Sequence, residues 1–390
     1  MNKAFLVGYY GMRNSGDDAL MNATAWGAKN LLGVDSVSMN SPIDLKTKHF
    51  GCSKPVLLEH QRFPAQNRLR QYGAALESEC VIFGGGSVLH NARDIDLKRD
   101  LMMLSSGREH YALGIGLGPF QNARAERSCK AFLESCRFVG VRDKESLELA
   151  NSLAPKASVA LTFDLAPSLL LDKSFRIVPI ERKGIAVCLC PKERLGKRGS
   201  KAEQDRLRAI ASALDTASFF TGEPIVFVDF NGHKDLGDRP VHEELAAMLS
   251  PTVPVQFVDY DANPYRLMQR MASYKVAVCM RLHASIFGFL SETPVLSINY
   301  HSKCVGWCDQ IGLPQAHRFA ANDLDSVALA NALCVGLEEG FETPQRSVQS
   351  AIQESIKNWR FCHDYSNIKT TLFGRYSFVQ QVGAHCSNSG

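Results

Sequence analysis

Short apolar runs alternate with longer polar segments along this 390-residue chain, and that alternation restricts its fold more than any other feature. Examples of the apolar runs are "AFLVGYY" (4–10), "CVIFGGG" (80–86) and "GIAVCLC" (184–190). Each is too short for a buried helix, and most are rich in β-branched or aromatic residues. Runs of this kind separated by helix-compatible segments are typical of βα units in a largely parallel sheet. We therefore predict an α/β fold.

The predicted elements form two groups, since 390 residues exceed one ordinary core. The first group has strands at 4–10, 36–40, 80–86, 110–118, 138–143 and 157–164, and helices at 17–32, 93–104, 126–136 and 144–153. The second has strands at 184–190, 224–230, 255–260, 275–280 and 294–300, and helices at 201–214, 239–249, 263–273 and 284–291. The pattern predicts two Rossmann-like domains facing a cleft, a GT-B-like architecture.

The predicted boundaries follow from composition. Residues 1–172 form an N-terminal α/β domain, and the charged, proline-containing segment 173–183 is a linker. Residues 184–343 form a C-terminal α/β domain, and residues 344–390 supply a C-terminal helix, near 344–362, and a disordered tail.

Charge and cysteine usage exclude several classes of protein. The 44 basic and 40 acidic residues are spread along the chain and give a net charge of +4, so we expect no nucleic-acid partner. Many of the 12 cysteines lie inside apolar runs, where they behave as small hydrophobic residues, and this indicates a reducing compartment. No window reaches the roughly 18 apolar residues of a membrane span. We expect a cytoplasmic protein.

Three polar loops follow strands of the first group. In "GYYGMRNSGDDAL" (8–20) an aspartate either caps the next helix or also serves a ligand, and the sequence leaves both readings open. In "FGGGSVLHN" (83–91) three glycines let a ligand approach the backbone, beside side chains that can bind hydroxyl groups. In "GVRDKES" (140–146) a structural role is favoured, with Asp143 as a helix cap and Arg142 paired locally.

The stretch "VAVCMRLHASIFGFL" (276–290) places two polar side chains at the end of a buried strand. Arg281 and His283 precede a helix that we expect to begin near Ala284. The positive end of that helix attracts anions, the arginine adds a planar donor fork, and the histidine adds a titratable proton. This combination indicates phosphate or carboxylate recognition coupled to acid–base chemistry.

Lys303 follows the next strand, so it is expected at the same sheet edge as Arg281. Cys304 and Cys308, with the nearby histidines His301 and His317, match no standard zinc spacing, and we predict no metal site.

Together these segments resemble the polysaccharide pyruvyl transferase family. The resemblance is carried by "GYYGMRNSGDDA", "FGGGS", "VRDKES", "TFDLAPSLL" (162–170) and "MRLHASIFGFLSETPVLSINYHSKCVGWCDQIGL". In the family an Arg-Leu-His triplet is followed by a Pro-Val strand, a tyrosine and a lysine. The matching residues here are Arg281, Leu282, His283, Pro294, Val295, Tyr300 and Lys303.

The resemblance implies transfer of pyruvate from phosphoenolpyruvate onto two sugar hydroxyls, forming a cyclic ketal without a metal or other cofactor. It implies catalytic roles for His283 as general acid, for Arg281, and for Asp17 as base. Implied donor contacts are Arg281, Leu282 and Lys303, with Lys192 or Arg194 in place of a displaced basic residue; implied acceptor contacts are Asn14, Asp17, Gly85, Gly86, Ser87 and His90. The implied partner is a lipid-linked, nucleotide-linked or polymeric sugar, with peripheral association with membrane-bound polysaccharide assembly machinery left open.

Two alternatives belong to other classes. A GT-B nucleotide-sugar glycosyltransferase binds a diphosphate at the corresponding helix, and Glu292 is the nearby candidate for an acidic ribose contact. A non-catalytic sugar-binding protein of the same fold is the second alternative, and the intact Arg281-Leu282-His283 triplet argues against it.

Overall fold

Seven parallel strands form the first sheet of this computed structural model, which describes residues 3–46, 52–87, 89–107, 109–191 and 201–361. Their order is β3-β2-β1-β4-β5-β6-β7, so the chain reverses direction across the sheet beside β1. The strands are β1 (Lys3–Val7), β2 (Ser36–Met39), β3 (Ser53–Pro55), β4 (Cys80–Gly86), β5 (Tyr111–Ile115), β6 (Phe138–Val141) and β7 (Val159–Leu161). Parallel pairing brings the loops after β1, β4 and β6 to one edge, where open sheets bind ligands.

In the described ranges, five helices connect these strands: α1 (Ser15–Asn30), α2 (Gln66–Leu76), α3 (Ala92–Leu104), α4 (Ala123–Ser135) and α5 (Lys144–Leu153). Most residues of α1 are buried, because this helix packs under the sheet and also meets the second domain. A short 3₁₀ helix, Ala166–Leu171, follows β7. Residues 172–184 are all described and contain no helix or strand.

A second sheet of six parallel strands follows, in the order β10-β9-β8-β11-β12-β13. Its strands are β8 (Ile185–Cys188), β9 (Ile225–Val228), β10 (Val255–Val258), β11 (Val276–Cys279), β12 (Val295–Asn299) and β13 (Arg318–Ala320). The described helices after β8 are α6 (Lys201–Thr221), α7 (Arg239–Ala246), α8 (Pro264–Met271), α9 (Leu282–Leu290), α10 (Ser302–Ile311), α11 (Ser326–Glu339) and α12 (Val348–Ile356). The predicted α/β fold with two Rossmann-like domains is confirmed.

Several elements were not predicted from the sequence. These are β3, α2, α10, β13 and α11. The prediction that the helix after β11 begins near Ala284 was wrong by two residues, because Arg281 is its N-cap and Leu282 is its first helical residue. His283 therefore lies within the first turn of α9.

The last described elements return to the first domain. Helix α12 packs on the 3₁₀ helix 166–171, and Ser355 Oγ donates to Leu165 O at 3.3 Å. Asn358 then accepts hydrogen bonds from Gly114 N and Thr162 Oγ1, both at 2.7 Å. The predicted tail beyond Phe361 lies outside the described residues.

In the described ranges, none of the helices combines the length and the apolar character that crossing a membrane requires.

Candidate active site

A polar cavity of about 260 Å³ lies between the two domains, at the carboxyl ends of β1, β4 and β6 on one side and of β9, β11 and β12 on the other. Its lining residues are Tyr9, Asn14, Asp17, Gly86, Ser87, His90, Arg142, Phe230, Arg281, Leu282, His283, Tyr300 and Lys303. The cavity thus collects side chains whose positions span nearly three hundred residues of sequence.

Most of the residues implied by the sequence resemblance line this cavity. Gly85 does not: a Cβ at this position would lie 2.8 Å from Leu20 of α1, and its φ of +75° favours glycine. Lys192 and Arg194 lie outside the described residues. Glu292, the candidate ribose contact of a glycosyltransferase, lines other cavities and is absent from the lining of this one.

The loop between β1 and α1 is held against the second domain by its backbone. Ser15 N donates to Phe230 O at 2.9 Å, and Gly232 N donates to Arg13 O at 2.8 Å. Between them, Asn14 caps α1 by accepting from Gly16 N at 3.1 Å. The cleft is therefore bridged by main-chain hydrogen bonds directly beside the cavity.

Asp17 stands in the first turn of α1, where the helix dipole favours its ionised form. Burial and, next, the neighbouring Asp18 nevertheless raise the pKa of Asp17 to about 7. Lys303 and Arg142 lower this pKa and only partly offset the increase. A carboxyl group with a pKa near neutrality can both accept and release a proton.

The ring of His283, which lies on α9, packs against α1, the helix that carries Asp17. A Cβ at Gly16 would lie 2.2 Å from His283 Nδ1, so only glycine lets the ring approach α1 this closely. Burial, together with the nearby cations Arg142 and Lys303, lowers the pKa of His283 to about 4, although Asp164 acts to raise it. The imidazole is therefore neutral at physiological pH in this environment.

Arg281 is fixed by a carboxylate that sequence reasoning missed. Its Nε lies 2.7 and 2.8 Å from the two oxygens of Asp238, and its Nη2 also contacts Asp238. Asp238 is fully buried and also accepts from the backbone N–H groups of Phe230 and Asn231, both at 2.9 Å. One edge of the guanidinium is thus engaged, which aligns the group at the cavity wall.

Arg142 is a cavity residue as well as a neighbour of a helix cap. Asp143 caps α5 by accepting from Ser146 N at 2.8 Å, as predicted. Arg142, however, is only 6% exposed and donates from Nη2 to Ser87 Oγ at 2.9 Å. The structural role favoured from the sequence therefore covers only part of what Arg142 does, because its guanidinium also lines the cavity.

Lys303 completes a cluster of three cations among the residues that the structure describes. It is the second residue of α10, and its Nζ lies 5.8 Å from the centroid of the Tyr300 ring. Burial lowers the pKa of Lys303, and the nearby charge of Arg142 lowers it further. Three cations that share one small cavity repel one another, so the arrangement favours an anionic ligand.

The residues considered for zinc have other roles. His301 caps α10 by accepting from Lys303 N at 3.3 Å, and the thiol of Cys304 lies 3.9 Å from Met280 O. Cys308 lies 3.6 Å from Asn299 Oδ1. Within the described ranges, no group of three or more His, Cys, Asp or Glu side chains is arranged to hold a metal.

Sequence reasoning missed several members of this site: Tyr9, Arg142 as a cavity residue, Asp164, Phe230 and Asp238. For Asp164 a signal was present, since it lies within the "TFDLAPSLL" segment that carries the family resemblance. For Asp238 there was none, because it is separated from Arg281 by 43 residues.

Comparisons with known proteins identify the family of the chain. The sequence profile of the polysaccharide pyruvyl transferase family matches residues 14–302. The amylovoran biosynthesis protein AmsJ of Erwinia amylovora is 22% identical over 305 residues, which cover 74% of this chain and 71% of that protein.

Solved structures share the fold. A UDP-N-acetylglucosamine 2-epimerase from Listeria monocytogenes, described as putative, superposes with a TM-score of 0.61 at 10% identity, over 95% of this chain and 97% of its own. Anabaena Alr3699/HepE in complex with UDP and glucose gives a TM-score of 0.56 at 12% identity, over 97% and 99%. These similarities show the architecture alone. The family match covers well over half of the chain and includes the cavity residues from Asn14 to Tyr300, so the chain belongs to the polysaccharide pyruvyl transferase family and is a transferase.

Proposed function

We propose that this protein transfers pyruvate from phosphoenolpyruvate onto two hydroxyl groups of a sugar in a polysaccharide or its precursor, forming a cyclic ketal and releasing phosphate. The observation that carries the proposal is the convergence of Arg142, Arg281 and Lys303 with His283 and Asp17 in one interdomain cavity. Phosphoenolpyruvate presents a carboxylate and a phosphate, which together need several cations.

The donor fits the side of the cavity formed by the second domain. Arg281 is preorientated by Asp238, and Lys303 stands one strand away. Arg142 reaches in from the first domain, so an anion bound by all three holds the two domains together. The bound charge also removes the mutual repulsion of the cations.

Donor binding is expected to convert His283 into the protonated form that a general acid needs. The pKa of His283 is about 4 because the ring is buried and because Arg142, Lys303 and Arg281 disfavour a further positive charge. A bound anion cancels their charges and raises the pKa of His283, so the imidazolium forms when the donor is in place. His283 then protonates the methylene carbon, and the adjacent carbon becomes electrophilic.

The sugar hydroxyls complete the reaction. The first hydroxyl attacks the electrophilic carbon and gives its proton to Asp17. Departure of phosphate, stabilised by the cations, leaves an oxocarbenium centre that the second hydroxyl attacks. The two hydroxyl protons balance the proton gained by the methylene carbon and the proton gained by the departing phosphate.

The acceptor is expected on the side of the first domain. Asn14, Ser87 and His90 line that side, and their side chains can bind hydroxyl groups. Tyr9 is 57% exposed at the same cavity, which gives a sugar ring an aromatic face to stack on.

The test incubates the purified protein with phosphoenolpyruvate and a panel of lipid-linked, nucleotide-linked and polymeric sugars. We expect phosphate release together with an acceptor mass increase of one pyruvate less one water. Isothermal titration with phosphoenolpyruvate and with nucleotide sugars separates this function from glycosyl transfer. Binding and turnover of nucleotide sugars as donors, without consumption of phosphoenolpyruvate, would overturn the proposal.

Two variants test the assigned roles. His283→Gln is expected to abolish pyruvate transfer while phosphoenolpyruvate still binds, because the general acid is lost and the cations remain. Arg281→Ala is expected to weaken binding itself. Wild-type turnover by His283→Gln would refute the proposed acid.

A further inference from the structure

Asp164 belongs to a sequence segment that the reaction described above leaves without a role. It follows β7, near the carboxyl edge of the first sheet, and is 3% exposed as a side chain. Its Oδ1 accepts from Ala166 N at 2.9 Å, which fixes the plane of the carboxylate. Its Oδ2 is buried and has no hydrogen-bond partner within the described chain.

That oxygen lies between two side chains of the cavity. Oδ2 of Asp164 is 3.7 Å from Nε2 of His283 and 3.7 Å from Nη1 of Arg142. Nε2 of His283 is likewise buried and without a hydrogen-bond partner in the part of the chain that the structure describes. Buried polar atoms are nearly always paired, so two unpaired atoms facing each other require an explanation.

We propose that Asp164 is a positioning residue for His283, holding a proton on Nε2 and stabilising the imidazolium that the transfer requires. This inference rests on the proposed function. The carboxylate comes from the first domain and the imidazole from the second, so the pair forms only when the cleft is closed around the cavity.

The charges around His283 show why such a residue is needed. The charged side chains around His283 are Asp17 on α1, Arg142 after β6, Asp164 after β7, Arg281 at the start of α9 and Lys303 on α10. The titratable side chains of Tyr9, His90 and Tyr300 also line the cavity. Three of the charged side chains are cations, and with burial they keep the pKa of His283 at about 4. Asp164 acts in the opposite direction, raising it.

The test is Asp164→Asn. The amide keeps an oxygen for Ala166 N and nearly the same volume, so the fold is expected to persist, which thermal unfolding verifies. Loss of the charge lowers the pKa of His283. The limb of the kcat profile on which activity falls with rising pH is therefore expected to move to lower pH by about 1–3 units, with little change in KM for phosphoenolpyruvate.

Asp143→Asn is the matched control. Asp143 Oδ2 also lies 3.7 Å from the guanidinium of Arg142, and its amide variant also keeps the cap on Ser146 N. It is not among the main causes of the pKa shift of His283, whereas Asp164 is. Its pH profile is expected to keep the position of the wild-type limb. An equal shift in both variants would show that the effect runs through Arg142, and would overturn the assignment.

A second readout needs no turnover. In protein labelled with ¹⁵N-histidine, with the His283 signal assigned by its loss in His283→Gln, the wild-type ring is expected in the Nε2–H tautomer at neutral pH. Asp164→Asn is expected to lose that preference. If both proteins show the same tautomer and the same pH limb, the inference is wrong, whatever donor the enzyme uses. If the tautomer changes but phosphoenolpyruvate is not consumed, the proposed function is the part that fails.

Discussion

Removing the Asp238 carboxylate is expected to destabilise the second domain and disable donor binding together. Asp238 is fully buried and contacts the guanidinium of Arg281 through both oxygens. It also accepts from the N–H groups of Phe230 and Asn231. Asp238→Ala leaves one buried cation and two backbone donors without an acceptor, which is expected to cost about 3–5 kcal/mol of unfolding free energy.

The assay is urea unfolding followed by fluorescence, with the donor Kd from isothermal titration on the same samples. Asp238→Asn separates the two contributions, since the amide oxygen still serves the backbone donors and only the charge is lost. Asp238→Asn is expected to lose less unfolding free energy than Asp238→Ala. Donor binding is expected to weaken in both variants, because Arg281 is no longer held by a carboxylate. Asp235→Ala, a change at an exposed position three residues away, is expected to stay within about 0.5 kcal/mol of wild type.

One result would contradict the roles given to Asp238. If Asp238→Ala loses less than about 1 kcal/mol and binds the donor as the wild type does, the buried pair neither supports the domain nor orientates Arg281.

Three further outcomes follow from the same cavity. Gly16→Ala would place a Cβ 2.2 Å from His283 Nδ1, so kcat is expected to fall by about 10²-fold in a steady-state assay, whereas Gly73→Ala, with nothing within 4 Å, is expected to keep wild-type kcat. At pH values above 7, Asp17→Asn is expected to raise the urea concentration at the unfolding midpoint, because the folded protein then no longer buries an ionised carboxylate. The pKa of Asp17 is about 7 in the folded protein and 3.8 ordinarily, so this gain in stability should vanish as the pH falls from 7 to 3.8. Donor affinity measured by titration calorimetry is expected to fall at alkaline pH, where Lys303 with its lowered pKa loses its charge, and Lys303→Arg should abolish that fall.

The sequence predicted the sheets well because buried parallel strands are nearly continuous apolar runs. β4 and β11, for example, are buried almost throughout and were found close to their true positions. The edge strand β3, with the sequence SKP, is partly or fully exposed at each position and carries no such signal. Helix α2 is largely polar and was missed for the same reason.

The candidate site was predictable where its residues lie close in sequence. Arg281 and His283 flank one residue at a strand end, so their proximity needed no knowledge of the fold. Asp238 and Asp164 contact Arg281 and His283 from elements that are distant in sequence, and only the packing of the fold brings these pairs together. Arg142 was interpreted locally because its neighbour Asp143 offered a sufficient local explanation.

The return of the chain to the first domain has a consequence for the order of events on the ribosome. Asn358 supplies the acceptor for Gly114 N and Thr162 Oγ1, and the Trp359 ring occupies the space beside Gly27. We call the surface of the first domain that contacts Asn358 and Trp359 the seam. During synthesis the first domain leaves the ribosome before these residues are made, so the seam is uncovered and the second domain can fold before the first is complete. Nascent chains arrested before Val348 are expected to expose the seam to proteases, and release of the last described elements closes it.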